Sequence, residues 1–449
     1  RTGRIVWWCL PRLDGEPVFH ALLGSRSGDG HDGAFSIELA DLVHAEHAYV
    51  ANTAILRTVL TSSDGAAIEI EDFAPRFETR GRLFRPMMLV RRVRPLAGRP
   101  RIRVRIRPRF GWGAVAPTIT TGSNHLRFVG ETLTIRLTTD APVGYIRDET
   151  EFLLDGPLAF LVGQDETVPE RPFTLARSFS EDTQQYWQQW TRRLGIPFEW
   201  QEAVIRAAIT LKLCTVEETG AIVAAVTTSI PEAPDSGRTW DYRYCWLRDA
   251  FFVVRALNAL SAVETMEMYL RYINEIVART AGGHVQPVWG VGLESALVER
   301  TVDLPGYQGM GPVRVGNQAY EHHQHDVYGN IVLGAAQAFF DKRLMRPFGV
   351  EDFRRLEAIG ERAFAVHDQP DAGIWELRTR ARVHTSSALM CWAALDRLAR
   401  IARPLGVESG QWRRAPTTSG PASSNAPGIR RAAPSPRASA AATSTRACS

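Results

Sequence analysis

Charged and aromatic residues alternate between residues 238 and 256 more densely than anywhere else in the chain. The charged side chains are Asp241, Arg243, Arg248 and Asp249, and the rings are Trp240, Tyr242, Tyr244 and Trp246. Planar rings can stack on the faces of sugar rings, and fixed carboxylate and guanidinium groups can bond hydroxyls. The stretch therefore predicts a carbohydrate pocket.

Arg248 and Asp249 lie at the start of a helical pattern, because apolar residues recur at helical spacing directly after them. Two interpretations of this pair are open. It binds substrate beside the neighbouring rings, or Asp249 caps the helix while Arg248 forms a surface ion pair.

A second informative stretch, residues 371–378, places Glu376 beside Trp375 in a connection that contains a glycine. An apolar ring next to a carboxyl group favours the protonated form, which a general acid needs. The alternative is a loop carboxylate paired with Arg378 or Arg380. Glu376 is thus a candidate proton donor.

Composition excludes several other classes of function. The net charge is only +4 and the folded part has no basic run, so no nucleic-acid partner is expected. No apolar run approaches the roughly 20 residues of a membrane span. The five cysteines are scattered, which argues against disulfides and zinc and favours a cytoplasmic location. In the sequence H-H-Q-H-D at 322–326 only His322 and Asp326 have metal-ligand spacing, so no metal is expected and loop packing or sugar contact is favoured.

The chain of 449 residues is long enough for two or three domains. Residues 1–175 show short alternating segments separated by turns, which is typical of an antiparallel β-sandwich. Residues 176–196 predict a linker helix, with its helical stretch at 178–193, and residues 197–406 a helical domain. Its six predicted helices are 199–214, 248–260, 262–279, 326–343, 351–367 and 386–403.

Several motifs together resemble glycoside hydrolase family 15, the glucoamylase-like family. They are W-W-C-L-P-R-L-D at 7–14, W-D-Y-R-Y-C-W-L-R-D at 240–249, G-Y-Q-G-M-G-P-V-R-V-G-N at 306–317, Q-H-D-V-Y-G at 324–329 and G-I-W-E at 373–376. The resemblance implies a super-β-sandwich, a linker helix and an (α/α)6 catalytic barrel. It also implies inverting, exo-acting hydrolysis of α-glucosides that releases glucose from non-reducing ends and needs no cofactor.

The resemblance also implies roles for individual residues. Glu376 matches the general acid. The pair Arg248 and Asp249 matches the grip on the terminal glucose. Aromatic residues matching the wall of the same subsite are Tyr242, Trp246, Trp289 and Trp375. His322 stands where the family often has glutamine, which affects only fine specificity.

The end of the chain departs from the family pattern. The family's general base lies far beyond position 406, and no residue here matches it. The resemblance therefore implies a chain that is incomplete at its C-terminus, with about six of twelve barrel helices. Residues 407–449 have low complexity and are expected to be disordered or read in a shifted frame.

Glucan 1,4-α-glucosidase activity is the first expectation that the resemblance implies. The alternatives are an α,α-trehalase or glucodextranase of the same family. A different class, a non-catalytic carbohydrate-binding remnant, is suggested by the missing base, and a broken coding sequence without a stable product is the third possibility. The oligomeric state is left open.

Overall fold

Strands dominate the N-terminal part of the computed structural model, which describes residues 2–25, 30–280 and 282–408. In chain order the strands are β1 (Arg4–Ile5), β2 (Trp8–Leu10), β3 (Glu16–Phe19), β4 (Ala34–Leu39), β5 (Leu42–Tyr49), β6 (Leu56–Ser62), β7 (Ala67–Phe73), β8 (Phe77–Thr79), β9 (Arg82–Phe84), β10 (Met88–Ala97), β11 (Arg101–Arg107), β12 (Thr118–Thr121), β13 (His125–Val129), β14 (Thr134–Thr139), β15 (Phe152–Leu153) and β16 (Leu158–Gln164). A short helix, α1 (Val143–Arg147), lies between β14 and β15.

Two antiparallel sheets form a sandwich. One has eight strands in the order β12-β13-β14-β16-β10-β7-β6-β5, and the other has four in the order β1-β4-β11-β15. Alternation along β11 buries Ile102, Val104 and Ile106 against Phe160 and Val162 of the facing sheet. The predicted β-sandwich is therefore confirmed.

The opposite face of β11 carries the arginines that the sequence places at every second position. Arg101 and Arg103 pair with Glu151, and Arg105 and Arg107 pair with Glu149. These ion pairs lie on the face of β11 opposite to the buried Ile102, Val104 and Ile106, so the arginines form the outer surface of the sandwich.

A long helix, α2 (Pro172–Arg192), covers the other face of the eight-stranded sheet. It begins at Pro172 rather than at 178, because proline is well tolerated in the first turn, where its missing N–H has no intrahelical partner. Phe173, Ala176 and Phe179 pack against Val90 and Leu161 of the sheet.

Up to residue 408, the described chain then forms six helices, each overlapping one of the predicted segments. They are α3 (Gln201–Leu213), α4 (Leu247–Ala259), α5 (Val263–Thr280), α6 (Asp326–Ala336), α7 (Val350–Val366) and α8 (Thr385–Leu405). The buried faces of α4 to α8 share one large core, whereas Ala208 and Ile209 of α3 pack with Trp187 and Trp190 of α2 in a separate cluster. A β-sandwich followed by a helical domain is therefore the architecture of this chain.

Helix α6 is shorter than the predicted 326–343. It ends at Ala336 and continues as the 3-10 turn Gln337–Phe339. The Asp341 side chain accepts a hydrogen bond from the Arg343 amide at 3.0 Å. Such a local bond competes with helix continuation.

Short strands occupy the connections between the helices. They are β17 (Thr215–Val216), β18 (Ala221–Ile222), β19 (Cys245–Trp246), β20 (Val288–Trp289), β21 (Arg300–Val302) and β22 (Val313–Val315). Three of them order the long 280–325 connection, together with the 3-10 turn Gln318–Glu321. Among the described residues, no helix has the length and apolar character required to cross a membrane.

The expected tail, 407–449, lies outside the described residues except for Val407 and Glu408.

Candidate active site

The strand pair β19–β20 determines which side chains of residues 240–246 face a cavity. Cys245 pairs with Trp289, and Trp246 pairs with Val288. Successive side chains of a strand point to opposite faces. Cys245 and Trp289 therefore enter the helical core, whereas Trp246 and Val288 face the other way.

That other side opens into a cavity of about 620 Å³. This volume falls within the range of about 300–1,000 Å³ that is usual for small-ligand pockets. Every predicted site residue except Trp289 lines it: Tyr242, Trp246, Arg248, Asp249, Trp375 and Glu376. The structure thus brings together residues from two stretches that are far apart in sequence.

Trp289 is placed elsewhere. It is 5% exposed, and its Nε1 donates to the Gln286 carbonyl oxygen at 3.1 Å. The structure corrects the prediction that Trp289 forms part of the pocket wall, because its strand position directs it away from the face that carries Trp246. Trp375, by contrast, is 74% exposed and flanks the cavity as predicted.

Asp241 and Arg243 alternate with the cavity-lining rings and are both fully buried. Their side chains form a bidentate ion pair, in which Arg243 Nε donates to Asp241 Oδ1 at 2.9 Å and Nη2 donates to Oδ2 at 2.7 Å. Arg243 Nη1 also donates to the Gly15 carbonyl oxygen at 2.6 Å. This pair therefore ties the cavity wall to the β2–β3 hairpin of the sandwich instead of contacting a ligand.

Arg248 is the centre of the cavity's polar contacts. Its Nη1 donates to Gln324 Oε1 at 2.8 Å and to Asp326 Oδ2 at 3.3 Å. Its Nη2 donates to Glu376 Oε1 at 3.1 Å, and its Nε lies 3.8 Å from Asp249 Oδ2. One guanidinium thus joins α4, the start of α6 and the loop of Glu376.

Glu376 receives a second hydrogen bond, from the Trp246 indole Nε1 at 2.8 Å. Its side chain is 22% exposed, so it reaches the cavity while most of its surface is covered. Its backbone lies in the left-handed region with φ of 52°. A non-glycine residue with this φ is uncommon and is often found at functional sites.

The structure separates the alternatives for both stretches. Glu376 is bound to Arg248, whereas Arg378 is bound to Glu299 at 2.6 Å. Asp249 lies in the first turn of α4, but the N-cap residue is Trp246, without a side-chain capping bond. Glu376 therefore lies on the cavity and is not paired with Arg378, and Asp249 does not cap α4.

The protonation of the cavity's acidic groups follows from their surroundings. Burial raises the pKa of Asp249, although Arg248 acts in the opposite direction. Burial would also raise the pKa of Glu232, but hydrogen bonds from Arg238 and Trp240 outweigh it and hold that pKa below its usual range. The surroundings of these two carboxyl groups thus shift their pKa values in opposite directions.

The histidines of the 322–326 segment have separate roles. His322 lines the cavity. The His323 ring lies against the His284 ring, with 4.1 Å between the centroids and 38° between the ring planes. The His325 amide donates to Asp371 Oδ2 at 2.7 Å. Within the described ranges no group of His, Cys, Asp and Glu side chains could hold a metal ion.

Glu232 and Arg378 line the cavity but were not predicted as site residues from the sequence. Glu232 accepts hydrogen bonds from Arg238 Nε at 2.6 Å and Trp240 Nε1 at 2.8 Å. Arg378 places its guanidinium 4.1 Å from the Trp240 ring centroid. Glu232 lies in a proline-containing turn with no distinguishing pattern, and only its position shortly before the aromatic stretch could have drawn notice.

Comparison with known proteins finds two matching family models. One, described as glycosyl hydrolases family 15, covers residues 200–437. The other, described as trehalase-like, N-terminal, covers residues 2–145. The first match includes all the cavity residues and continues past position 406, where the motif resemblance ends.

Similar curated proteins carry the name trehalase. One from Mycolicibacterium smegmatis is 31% identical, and the match covers 92% of this chain and 65% of the relative. One from Mycobacterium tuberculosis is 30% identical, with 92% and 64% covered. One from Thermoplasma volcanium is 27% identical, with 92% and 66% covered. The chain thus spans just under two thirds of the length of these relatives.

Proposed function

Because the chain belongs to glycosyl hydrolase family 15, we propose that it hydrolyses α-glucosidic bonds and that its substrate is the disaccharide α,α-trehalose. The matched relatives are named trehalase, and the N-terminal match is trehalase-like. These names favour trehalose over a glucan, the substrate that the motif resemblance puts first. A glucan or dextran becomes the second choice.

The observation that carries the proposal is the paired contact of Glu376 with Trp246 and Arg248 inside the cavity. In this proposal Glu376 is the general acid and protonates the glycosidic oxygen as the bond breaks. Arg248 and Asp249 hold hydroxyls of the glucose at the reacting carbon. Tyr242, Trp246 and Trp375 cover the faces of the sugar rings.

Burial and the nearby carboxylate of Glu232 raise the pKa of Tyr242 to about 12. Its hydroxyl group therefore keeps its proton at neutral pH and remains a donor. The Tyr242 hydroxyl lies 3.3 Å from Glu232 Oε1. The ring is fixed in this way, and we propose that it serves as a rigid wall of the subsite.

The same proposal extends to the fold. The helices α3 to α8 would be part of an (α/α)6 barrel, with the substrate held at the end where the loops of Trp246 and Glu376 meet. The domain boundaries expected from sequence, near 175, 197 and 406, belong to this proposal as well. A cytoplasmic location remains a prediction from the cysteine content.

Inversion needs a second carboxyl group about 6.5–9.5 Å from the first, with a water between them. Among the described residues the other carboxylates of the cavity are Glu232 and Asp249. Glu232 is engaged by Arg238, and Asp249 lies beside Arg248. Neither is assigned as the base, and this observation supports a second candidate function, carbohydrate binding without turnover.

One assay decides between the two. The purified chain is incubated with trehalose, maltose, isomaltose and starch, and the anomers of released glucose are followed by NMR before they equilibrate. Inverting hydrolysis of trehalose gives one β-glucose and one α-glucose, because only one anomeric carbon is attacked. Two α-glucose molecules would contradict the inverting mechanism. Glucose binding by calorimetry without release from any substrate would favour the binding function.

A further inference from the structure

Asp371 lies outside the cavity lining and yet joins two segments that build the site. Its carboxylate is 1% exposed. The Oδ2 atom accepts hydrogen bonds from the His325 amide and from the Ser387 hydroxyl, each at 2.7 Å. Its backbone exchanges two further hydrogen bonds with Arg382. Such a buried acceptor fixes everything that is bonded to it.

These contacts belong to a closed series that begins and ends on the loop of Glu376. Asp371 holds the amide of His325, and the residues on either side of His325 hold the guanidinium of Arg248. Arg248 donates to Glu376, which lies on the same loop as Asp371. The position of Glu376 is therefore fixed twice, at its backbone by the loop that Asp371 holds and at its carboxylate by Arg248.

Helix α8 contacts both the loop of Asp371 and the segment of His325. Ser387, in its first turn, donates to Asp371, and the Cys391 thiol lies 3.2 Å from the His325 carbonyl oxygen. The Ala372 amide donates to the His323 carbonyl oxygen at 2.9 Å. The loop and the segment before α6 are thus bonded to each other and to one helix.

The loop needs such support because its backbone is unusual. Glu376 has φ of 52° and Gly373 has φ of 62°, both in the left-handed region. A Cβ atom at Gly373 would lie 2.7 Å from the ring of His384. Conformations of this kind persist where the surrounding contacts over-determine them.

We infer that Asp371 is a positioning residue, which fixes the loop of Glu376 against the segment that holds Arg248. It touches no substrate and acts through the geometry of the acid. The inference rests on the proposed function when it is tested by the rate of hydrolysis. When it is tested by the hydrogen exchange of backbone amides, it rests on the fold alone.

The test compares Asp371→Ala, Asp371→Asn and Ser387→Ala in the full chain. The amide oxygen of asparagine can accept the same two hydrogen bonds, so Asp371→Asn should keep most of kcat for trehalose. Asp371→Ala should lower kcat about 10²-fold with KM close to wild type, because displacement of a reacting group by about 1 Å costs that much. Ser387→Ala, which leaves the His325 bond in place, should lie between them. Active sites are counted by glucose titration, so unfolded protein does not imitate the effect.

Hydrogen exchange measured by mass spectrometry gives a readout that needs no turnover. In Asp371→Ala the amides of residues 371–378 and 323–326 should exchange faster together, while those of α5 keep their wild-type rates. Wild-type exchange of both segments in this variant, or wild-type kcat per site, would overturn the inference. If the wild-type chain releases no glucose, the proposed function fails and the exchange result decides this inference alone.

Discussion

The indole Nε1 of Trp246 lies 2.8 Å from Oε1 of Glu376, across 130 residues of sequence. The same oxygen accepts from Arg248 at 3.1 Å. Two donors on one oxygen restrict rotation of the carboxyl group before any substrate is bound. A group held in advance loses little freedom when the reaction begins, which favours catalysis.

Replacement of Glu376 by glutamine should abolish most turnover and keep binding. The amide still accepts from Trp246 and Arg248 but supplies no proton, so kcat should fall about 10²–10⁴-fold. Glucose release from trehalose measures the loss, and calorimetry with glucose checks the site. Glu199→Gln, at an exposed position, is the matched control. Full activity of Glu376→Gln would remove this residue from the mechanism.

Trp246 and Trp289 should respond differently to the same substitution. Trp246→Phe removes a donor to Glu376 and should lower kcat. Trp289→Phe alters the core and should lower the free energy of unfolding by about 0.5–3 kcal/mol while glucose affinity stays unchanged. Urea unfolding and sugar titration of both variants separate the two effects. A loss of glucose affinity in Trp289→Phe would show that the buried Trp289 side chain affects the cavity.

Arg248→Lys should weaken the site although the charge is kept. A lysine ammonium cannot span Gln324, Asp326 and Glu376 at once. We expect kcat/KM to fall about 10–100-fold, since a hydrogen bond to a charged group contributes about 1.5–3 kcal/mol. Steady-state kinetics measure this, with Arg255→Lys on the exposed side of α4 as the control. Equal losses in the two variants would contradict the role of Arg248.

Arg243→Ala should destabilise the protein strongly. It leaves the Asp241 carboxylate buried without its cation, which costs about 3–5 kcal/mol in comparable pairs. Asp241→Leu combined with Arg243→Met should recover much of this loss, because no buried charge is left unpaired. Urea unfolding monitored by tryptophan fluorescence compares the three proteins. If the double variant were less stable than Arg243→Ala, the unpaired Asp241 carboxylate would not be the cause of the loss.

His284 should make the folded state sensitive to acid. Burial and the neighbouring His323 lower its pKa to about 4, whereas a histidine in the unfolded chain has a pKa of about 6.5. Between these values the unfolded chain binds more protons, so stability falls as the pH decreases. His284→Gln should reduce the drop in melting temperature between pH 7 and pH 5. An unchanged drop in this variant would assign the acid sensitivity to other groups.

The sequence predicted the elements well where a strong period or motif was present. The alternating segment at 101–107 corresponds to β11, and the helix predicted at 262–279 corresponds to α5 (Val263–Thr280). The cavity rings were found because aromatic and charged residues are crowded at 240–249.

Features that depend on pairing with distant residues were not predictable. The face of β20 on which the Trp289 side chain lies follows from the pairing of Trp289 with Cys245. Glu232 is held at the cavity by hydrogen bonds from Arg238 and Trp240, which no local sequence pattern indicates. The early end of α6 depends on the local bond at Asp341, which no periodicity indicates.

The contact of Arg243 with the Gly15 carbonyl oxygen has a consequence for how the two parts of the chain lose their structure. Detaching the β2–β3 hairpin would expose a guanidinium that is 0% accessible when folded and would loosen the wall that carries Trp246. The sandwich and the helices should therefore melt together in one cooperative transition. For the same reason the helices, expressed without the sandwich or joined to an unrelated one, should lose the shape of the pocket although every residue that lines it is present.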